Sequence, residues 1–159
     1  MKPTTELIIK QYQDSLFSLA FSICKNAADA DDVVQDTFIK YHTKDIDFET
    51  PEHVKAWLIR VCVNRSKDVV TSFWRRNKES LEDYMSSLEF EEPGDSELFQ
   101  AVIGLPEKYR VVIHLYYYEE YSTKEIADIL KSSEGTIKSR LSRGRMFLKK
   151  QLQEEWEDE

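Results

Sequence analysis

The sequence contains few residues that interrupt helices or strands. It also contains only two cysteines and no long apolar segment. Four glycines and four prolines in 159 residues leave long unbroken segments, which favours helices. No apolar run reaches about 18 residues, so we expect no membrane insertion. The first segment, "MKPTTELIIKQYQDS", lacks the apolar core and the cleavage site of a signal peptide. Cys24 and Cys62 each lie among apolar neighbours, which predicts reduced core thiols in a cytoplasm rather than a disulfide or metal ligands.

The net charge of -8 is distributed unevenly along the chain. Residues 77–97 hold eight acidic side chains, one basic side chain and the only Pro-Gly dipeptide, Pro93-Gly94. This composition predicts an acidic flexible linker. Residues 131–150 show the opposite bias, with seven basic side chains and one acidic side chain. Because the two signs are segregated, the acidic total does not exclude a nucleic-acid partner.

The fold class follows from the helical periodicity of the remaining segments. No strand-like alternation persists and no internal repeat appears. We therefore predict an all-α protein with two small helical domains, residues 1–76 and 98–159, joined by the linker 77–97. A short helix around residues 81–88 would fit within the linker, and the second domain ends in the acidic tail "QLQEEWEDE".

The segment "DADDVVQDTFIKYH" predicts an amphipathic helix with an unusual outer face. One stripe is suited to the core, and it contains Ala30, Val33, Val34, Thr37, Phe38 and Tyr41. The opposite face carries Asp32, Gln35, Asp36 and Ile39. An outward isoleucine among acids fits either a solvated face or a protein-docking surface with a small apolar anchor. The acids also resemble the Mg²⁺-binding segments of prenyl-transferring enzymes, but no second Asp-rich helix exists, so we expect no metal site.

The next helix, in "TPEHVKAWLIRVCVNRSKDVVTSFWRR", is predicted to begin after Thr50 as its N-cap. Its predicted buried stripe comprises Val54, Leu58, Val61, Cys62, Val69 and Phe73. The opposite row comprises Arg60, Asn64, Lys67 and Thr71, with Trp57 beside it. Cations attract phosphates and an amide can pair with a base edge, so this row is a candidate nucleic-acid surface. A solvated basic helix would carry the same residues.

The segment "YSTKEIADILKSSEGTIKSRL" predicts two short helices joined by a tight turn. Ser122 and Glu125 form a capping box, and Ser133 is placed to cap the second helix. The second helix turns Ile137, Leu141, Gly144 and Leu148 inward. Its outer face holds Ser139, Ser142 and Met146, flanked by Lys138, Arg143 and Lys149. A membrane surface or a calmodulin-like partner would suit a basic helix alone, but the capped partner helix and short turn favour a DNA-binding helix-turn-helix.

Together these segments resemble one protein family, the extracytoplasmic-function (ECF) bacterial sigma factors. The resemblance rests on "ADDVVQDTFIKYH", "FETPEHVKAWLIRVCVNRSKDVV" and "LPEKYRVVIHLYYYEEYSTKEIADILKSSEGTIKSRLSRGRMFLKK", in this order. It covers roughly residues 5 to 152 and fits the minimal form with a sigma-two-like and a sigma-four-like domain. It implies a subunit that directs core RNA polymerase to promoters, for a stress or envelope regulon.

The resemblance also implies roles for individual residues. It assigns docking on the β′ clamp helices of the polymerase to Asp32, Gln35, Asp36 and Ile39. Contact with the -10 element falls to Phe48, Arg60, Asn64 and Lys67, with Phe48 lining the pocket for a flipped base in the loop "DIDFETPEH". Contact with the -35 element falls to Lys138, Ser139, Ser142 and Arg143. Two positions depart from the family pattern: Lys131 stands where the turn often has glycine, and Ser142 where some relatives carry a bulkier side chain.

The expected partners are core RNA polymerase, through the β′ clamp helices and the β flap, promoter DNA, and an anti-sigma factor. We expect a cytoplasmic protein, held at the membrane only through such an inhibitor, with no small-molecule substrate and no cofactor. An enzyme is disfavoured because His42, His53 and His114 lack the spacing of a catalytic or metal-binding set. The competing function is a stand-alone helix-turn-helix regulator that dimerises or senses a ligand through its first domain.

Overall fold

The computed structural model describes the backbone of residues 1–76 and 97–157. Within these ranges it describes every side chain except those of residues 73–76, 97, 99 and 153–157. Within these ranges the chain is helical and contains no strand, which confirms the all-α prediction. The described residues form seven α-helices, which are α1 (Thr5–Cys24), α2 (Ala27–Thr43), α3 (Pro51–Arg76), α4 (Glu97–Ile103), α5 (Glu107–Ile113), α6 (Thr123–Leu130) and α7 (Glu134–Glu157). A π-helical turn, His114–Tyr118, continues α5. In the described ranges no helix combines the length and apolarity needed to cross a membrane.

The chain divides into two compact units, residues 1–88 and 89–159. The division falls within the predicted linker, residues 77–97, but residues 77–96 lie outside the described ranges. The short helix considered around residues 81–88 lies there as well. Only Glu97 of the predicted linker is described, and it is the first residue of α4.

The first unit packs α1, α2 and α3 against one another. Polar side chains fix where each helix begins, because the first turn of a helix leaves backbone N–H groups without partners. The Thr4 hydroxyl accepts from the Leu7 N–H at 3.4 Å, and the Asn26 side chain accepts from the Asp29 N–H at 2.9 Å. The Thr50 hydroxyl accepts from the His53 N–H at 3.1 Å, which confirms Thr50 as the predicted N-cap of α3.

The core faces of α2 and α3 were predicted with unequal success. All six predicted core residues of α2 are buried. In α3, Val54, Leu58 and Cys62 are buried as predicted, whereas Val61 and Val69 are only half-buried. The Phe73 side chain lies outside the described set. The buried arc instead includes Ile59, Val63 and Ser66, because α3 packs against both α1 and α2 and its core face is wider than one stripe.

Both cysteines are buried and form no disulfide, which confirms the prediction of core thiols. The Cys24 thiol faces the Ser66 carbonyl at 3.9 Å, and the Cys62 thiol faces the Leu16 carbonyl at 3.6 Å. These long sulfur contacts join α1 to α3. The thiols therefore contribute small apolar volumes to the core of the first unit.

The second unit is built around α7, which contacts α4, α5 and α6. A buried arginine holds the turn between α4 and α5: Arg110 donates to the Leu105 carbonyl at 2.7 Å and to the Ile103 carbonyl at 3.3 Å. Its charge thereby meets carbonyl oxygens at the C-terminal end of α4, where a cation is favoured. His114 is buried, with 5% of its surface exposed, and its ring stacks on Tyr118.

The predicted helix-turn-helix is present as α6, a short turn and α7. The Ser122 hydroxyl accepts from the Glu125 N–H at 3.1 Å, and the Glu125 carboxylate accepts from the Ser122 N–H at 3.1 Å, so the capping box is complete. The Ser133 hydroxyl accepts from the Thr136 N–H at 3.1 Å and caps α7. Ile137, Leu141 and Gly144 face the core, as predicted.

Gly144 allows α7 to lie close to α5. A Cβ at this position would lie 3.1 Å from Ile113 Cγ1 and 3.5 Å from Tyr109 Cβ. The first distance is shorter than ordinary van der Waals contact between carbon atoms. Any larger residue would therefore push against the buried Ile113 and move the two helices apart.

Lys131, in the turn, has a left-handed backbone with φ of 53°. We expect Lys131→Gly to raise the free energy of unfolding of the second unit by about 0.5–1 kcal/mol, because glycine adopts this conformation without the steric penalty of a Cβ. Chemical denaturation of the full chain, followed by a probe in the second unit, would measure the change. The matched control is Lys131→Ala, which removes the same side chain and charge but keeps the Cβ. A gain from alanine equal to that from glycine would contradict the strain argument.

Candidate polymerase and promoter-DNA interfaces

The outer face of α2 carries the four residues predicted to dock on the polymerase, Asp32, Gln35, Asp36 and Ile39, and we call this set the docking surface. Ile39 is 59% exposed although every apolar residue on the opposite side of the helix is buried. Asp32 and Gln35 are also exposed, and Asp36 is half-exposed. The structure therefore brings the four predicted residues together around one accessible apolar side chain.

The charges at this surface are partly organised by α3. Asp36 accepts from the Arg65 Nε at 2.8 Å, which links α2 to α3 across the surface of the unit. Both partners are nearly half exposed, so the pair contributes little to stability, at most about 1 kcal/mol. Its main effect is to hold one carboxylate at a fixed place. Burial, and then the charge of Asp32, raise the pKa of Asp29 in the first turn of α2.

A basic groove runs between α2 and α3, and we call it the α2–α3 groove. Its volume is about 290 Å³. The lining residues are Asp36, Lys40, Lys44, Trp57, Arg60, Val61, Asn64, Arg65 and Asp68. Cations outnumber acids here, which suits a polyanionic ligand better than an apolar small molecule. Arg60 and Asn64 thus share one groove, whereas Lys67 does not line it.

The loop between α2 and α3, residues 44–50, places Phe48 differently from the sequence-based prediction. Phe48 is 2% exposed, so its ring is not available to line an open base pocket. It stacks on Tyr41 at a centroid distance of 5.8 Å and meets Trp57 edge-on at 5.9 Å. The prediction failed because a lone aromatic in a polar loop gives no sign of its direction. Phe48 anchors the loop from below, and its exposed neighbours Asp47 and Glu49 form the accessible surface.

Asn64 is exposed in the α2–α3 groove, and its predicted role can be tested separately from duplex binding. We expect Asn64→Ala to reduce promoter melting by about five-fold, the equivalent of one hydrogen bond of about 1 kcal/mol, while binding to duplex -35 DNA stays unchanged. The reason is that the amide reaches bases only after the strands separate. Permanganate footprinting of the -10 region would measure melting. Equal reactivity with the wild-type protein and the variant would contradict the assignment.

A second groove lies at the beginning of α7, and we call it the α5–α7 groove. Its volume is about 470 Å³. The lining residues are Lys108, Tyr109, Ser133, Gly135, Thr136, Ser139, Arg140 and Arg143. Of the four predicted -35 residues, Ser139 and Arg143 line this groove. Ser142 and Lys138 are exposed outside it, and Lys138 lies 3.5 Å from the Glu134 carboxylate.

Three basic or polar residues of this groove were missed at the sequence level: Lys108, Tyr109 and Arg140. Lys108 and Tyr109 belong to α5, and only the close packing of α5 on α7 brings them beside α7. The periodicity of either helix alone does not predict a contact of this kind. Arg140 could have been found, since it lies within the basic run of residues 131–150.

Tyr109 also orients a predicted reading residue. A hydrogen bond with the Arg143 guanidinium lowers the pKa of the Tyr109 hydroxyl. The Lys108 ammonium lies 5.0 Å from the centre of the same ring. Three side chains from two helices, α5 and the third turn of α7, thus form one positively charged cluster.

Comparison with known proteins identifies the family of both units. Residues 8–79 match the family model described as sigma-70 region 2, and residues 96–148 match the model described as sigma-70, region 4. The chain is 30% identical to the ECF RNA polymerase sigma factor SigW of Bacillus subtilis, over 92% of this chain and 88% of that protein. It is also 30% identical to the RNA polymerase sigma factor SigV of the same organism, over 97% of this chain and 96% of that protein. The chain is an ECF sigma factor.

Solved structures support the assignment of this chain to the sigma factors. The sigma factor RpoE of Bartonella quintana, in complex with the anti-sigma factor NepR, is similar with a TM-score of 0.71 and 25% identity, covering 93% of this chain and 96% of that chain. CnrH, in complex with the cytosolic domain of CnrY, is similar with a TM-score of 0.66 and 27% identity, covering 94% of this chain and 87% of that chain. The competing reading, a stand-alone regulator, is not favoured.

The two family models also divide the predicted contact residues of the sigma factor. Region 2 contains the docking surface and the candidate -10 residues, and region 4 contains the candidate -35 residues. Each cationic groove therefore lies in a different sigma region. The roles of individual residues remain predictions, which the experiments below address.

Proposed function

We propose that this sigma factor binds core RNA polymerase through the docking surface of α2 and reads two promoter elements with its two grooves. The α2–α3 groove would bind the opened -10 strand through Arg60 and Asn64, with Lys67 beside it. The α5–α7 groove and the outer face of α7 would bind the -35 duplex. The second unit would also contact the polymerase β flap. The supporting observation is that each unit has one groove rich in cations although the chain as a whole carries a net charge of -8.

The proposed mechanism requires no bond change by the sigma factor itself. Phosphate contacts by lysine and arginine fix the register on DNA, whereas base-edge contacts supply sequence preference. Unstacking a base costs a few kcal/mol, which contacts with the opened strand in the α2–α3 groove offset. We therefore propose a promoter-specificity subunit that acts where the polymerase and the bacterial chromosome are, in the cytoplasm.

An anti-sigma factor is proposed as a further partner. The sigma factor RpoE was solved in complex with the anti-sigma factor NepR, and CnrH was solved in complex with the cytosolic domain of CnrY. Such an inhibitor would restrain the sigma factor, and a membrane-bound inhibitor would hold it at the membrane. Affinity purification of the tagged sigma factor from cells, followed by mass spectrometry, would identify the inhibitor.

Transcription in vitro tests the proposed function most directly. Purified core polymerase, the sigma factor and genomic DNA are combined, and the transcription start sites are mapped. We expect starts that depend on the sigma factor and that share a two-part upstream sequence. A housekeeping sigma factor with the same core enzyme is the positive control. If no start depends on the added protein, or if it binds a palindromic site without polymerase, the proposal is wrong.

A further inference from the structure

We propose that the N-terminal arm, residues 1–4, is a positioning element that holds the -10 loop, residues 44–50, in the form that discriminates between bases. This inference rests on the proposed role of the loop in -10 recognition. The arm precedes α1 in the sequence but lies across the end of α2 and along the loop. Residues 5–43 separate the two segments in the chain.

Hydrogen bonds to backbone groups join the arm to the first and the second half of the loop. The Met1 carbonyl accepts from the Phe48 N–H at 3.1 Å. The Lys2 ammonium donates to the Lys44 carbonyl at 2.7 Å. The amino group of Met1 also contacts the Asp47 carboxylate. Because peptide groups carry most of these contacts, the arm constrains the path of the loop rather than one side chain.

The loop has few other supports of its own. Asp45, Asp47 and Glu49 are exposed, and the Glu49 N–H donates to the His53 ring at 3.3 Å. The Phe48 N–H lies at the centre of the loop, and its partner comes from the arm. Without the arm the N–H of the buried Phe48 would need another acceptor, because an unpaired buried N–H is unfavourable.

The arm is also connected to the α2–α3 groove through aromatic rings. The Tyr41 hydroxyl donates to the Pro3 carbonyl, and burial raises the pKa of this tyrosine, which keeps the hydroxyl protonated as a donor. The Lys2 ammonium lies 5.1 Å from the centre of the Tyr41 ring. Tyr41 in turn contacts Trp57 edge-on at 6.1 Å, and Trp57 lines the groove. One cluster therefore joins the arm, the loop anchor Phe48 and the wall of the groove.

A preorganised loop discriminates better than a mobile one, since ordering costs would otherwise offset the contacts made only with the correct base. We expect Lys2→Ala and Tyr41→Phe each to reduce the preference for the best base at one -10 position by about five-fold. Tyr41→Phe removes only the hydroxyl and keeps the ring against Phe48 and Trp57. Lys2→Arg keeps the donor and the cation, and it should restore the preference.

The experiment uses the full-length sigma factor with core polymerase on promoters that vary at the -10 positions and share one -35 sequence. Open-complex formation is measured for each promoter, and hydrogen exchange of the Phe48 amide is measured in the free protein. We expect faster exchange in both variants, unchanged polymerase affinity and a shift of melting temperature below about 3 °C. Lys10→Ala, which removes an exposed lysine of α1 away from the loop, should change neither readout.

The outcomes separate this inference from the function on which it depends. Unchanged base preference in Lys2→Ala and Tyr41→Phe overturns the inference, and it leaves the proposed function intact if Asn64→Ala still impairs melting. A lower melting temperature with unchanged preference also overturns it, since the arm would then be structural only. If base substitutions at -10 have no effect even with the wild-type protein, the -10 assignment itself fails.

Discussion

Replacement of Ile39 and Asp32 together by alanine is expected to weaken binding of core RNA polymerase by about 30-fold, the equivalent of one interface hot spot of about 2 kcal/mol. Ile39 is the exposed apolar side chain of the docking surface, and Asp32 is the accessible carboxylate about two helical turns before it. Burial of Ile39 against a partner removes apolar area from water, and the carboxylate adds directional contact at its edge. Equilibrium titration of labelled sigma factor with core enzyme would measure the loss.

The stability of the double variant separates docking from folding. Exposed truncations change the free energy of unfolding little, whereas truncation of a buried residue usually costs about 2 kcal/mol or more. A melt close to that of the wild-type protein is therefore expected. Leu7→Ala is the matched control, since Leu7 is a comparably exposed apolar residue on α1, outside the docking surface. Unchanged polymerase affinity in the double variant would refute the assignment, and a collapsed melt would mean that the face is misplaced.

Arg143→Ala is expected to abolish discrimination at one -35 position, with a loss of about 1–3 kcal/mol for the preferred base. The guanidinium lies in the α5–α7 groove beside Tyr109, so its long side chain is oriented before DNA arrives. An arginine held in this way is suited to two parallel hydrogen bonds with a guanine edge. Binding of the full-length sigma factor with core polymerase to single-base -35 variants, at two salt concentrations, would measure the effect.

The salt dependence distinguishes base reading from phosphate contact. If Arg143 met phosphate alone, affinity would fall almost equally for all sequences and the salt slope would drop by about one unit, contrary to our expectation. Lys149→Ala, farther along the same helix and exposed, is the control that should show only this uniform loss. If Arg143→Ala altered neither affinity nor sequence preference, the assignment of α7 as the reading helix would be wrong.

The parts of the fold that were predictable are those decided by local chemistry. The α2 stripe was assigned correctly because that helix has one apolar face, and its outward Ile39 stood out against it. The start of α3 and the helix-turn-helix were predictable because Thr50, Ser122 and Ser133 are capping residues in recognisable positions. In these cases the side chain and the backbone group that it satisfies lie within four residues of each other.

The parts that were not predictable depend on contacts between distant segments. The core face of α3 is wider than its periodicity indicated, since two helices cover it. Ile59, Val63 and Ser66 were therefore not assigned to the core, whereas Val61, which was assigned to it, is only half-buried. Phe48 is buried because Tyr41 and Trp57 form a socket for it, which no spacing in the loop reveals. Tyr109 reaches Arg143 only because α5 lies against α7. The π-helical turn after α5 likewise has no signal in the sequence that we could identify.

Gly144 has a consequence for how such proteins diversify. Because α7 is seated against α5 through this residue and its inward neighbours, the fold constrains one side of the helix closely. Ser139 and Ser142, on the other side, are exposed and contribute little to the core. After gene duplication, substitutions at these two positions could change the preferred -35 sequence without lowering the folding stability of the copy. A new regulon would then require very few mutations, and none of them would have to be compensated elsewhere in the protein.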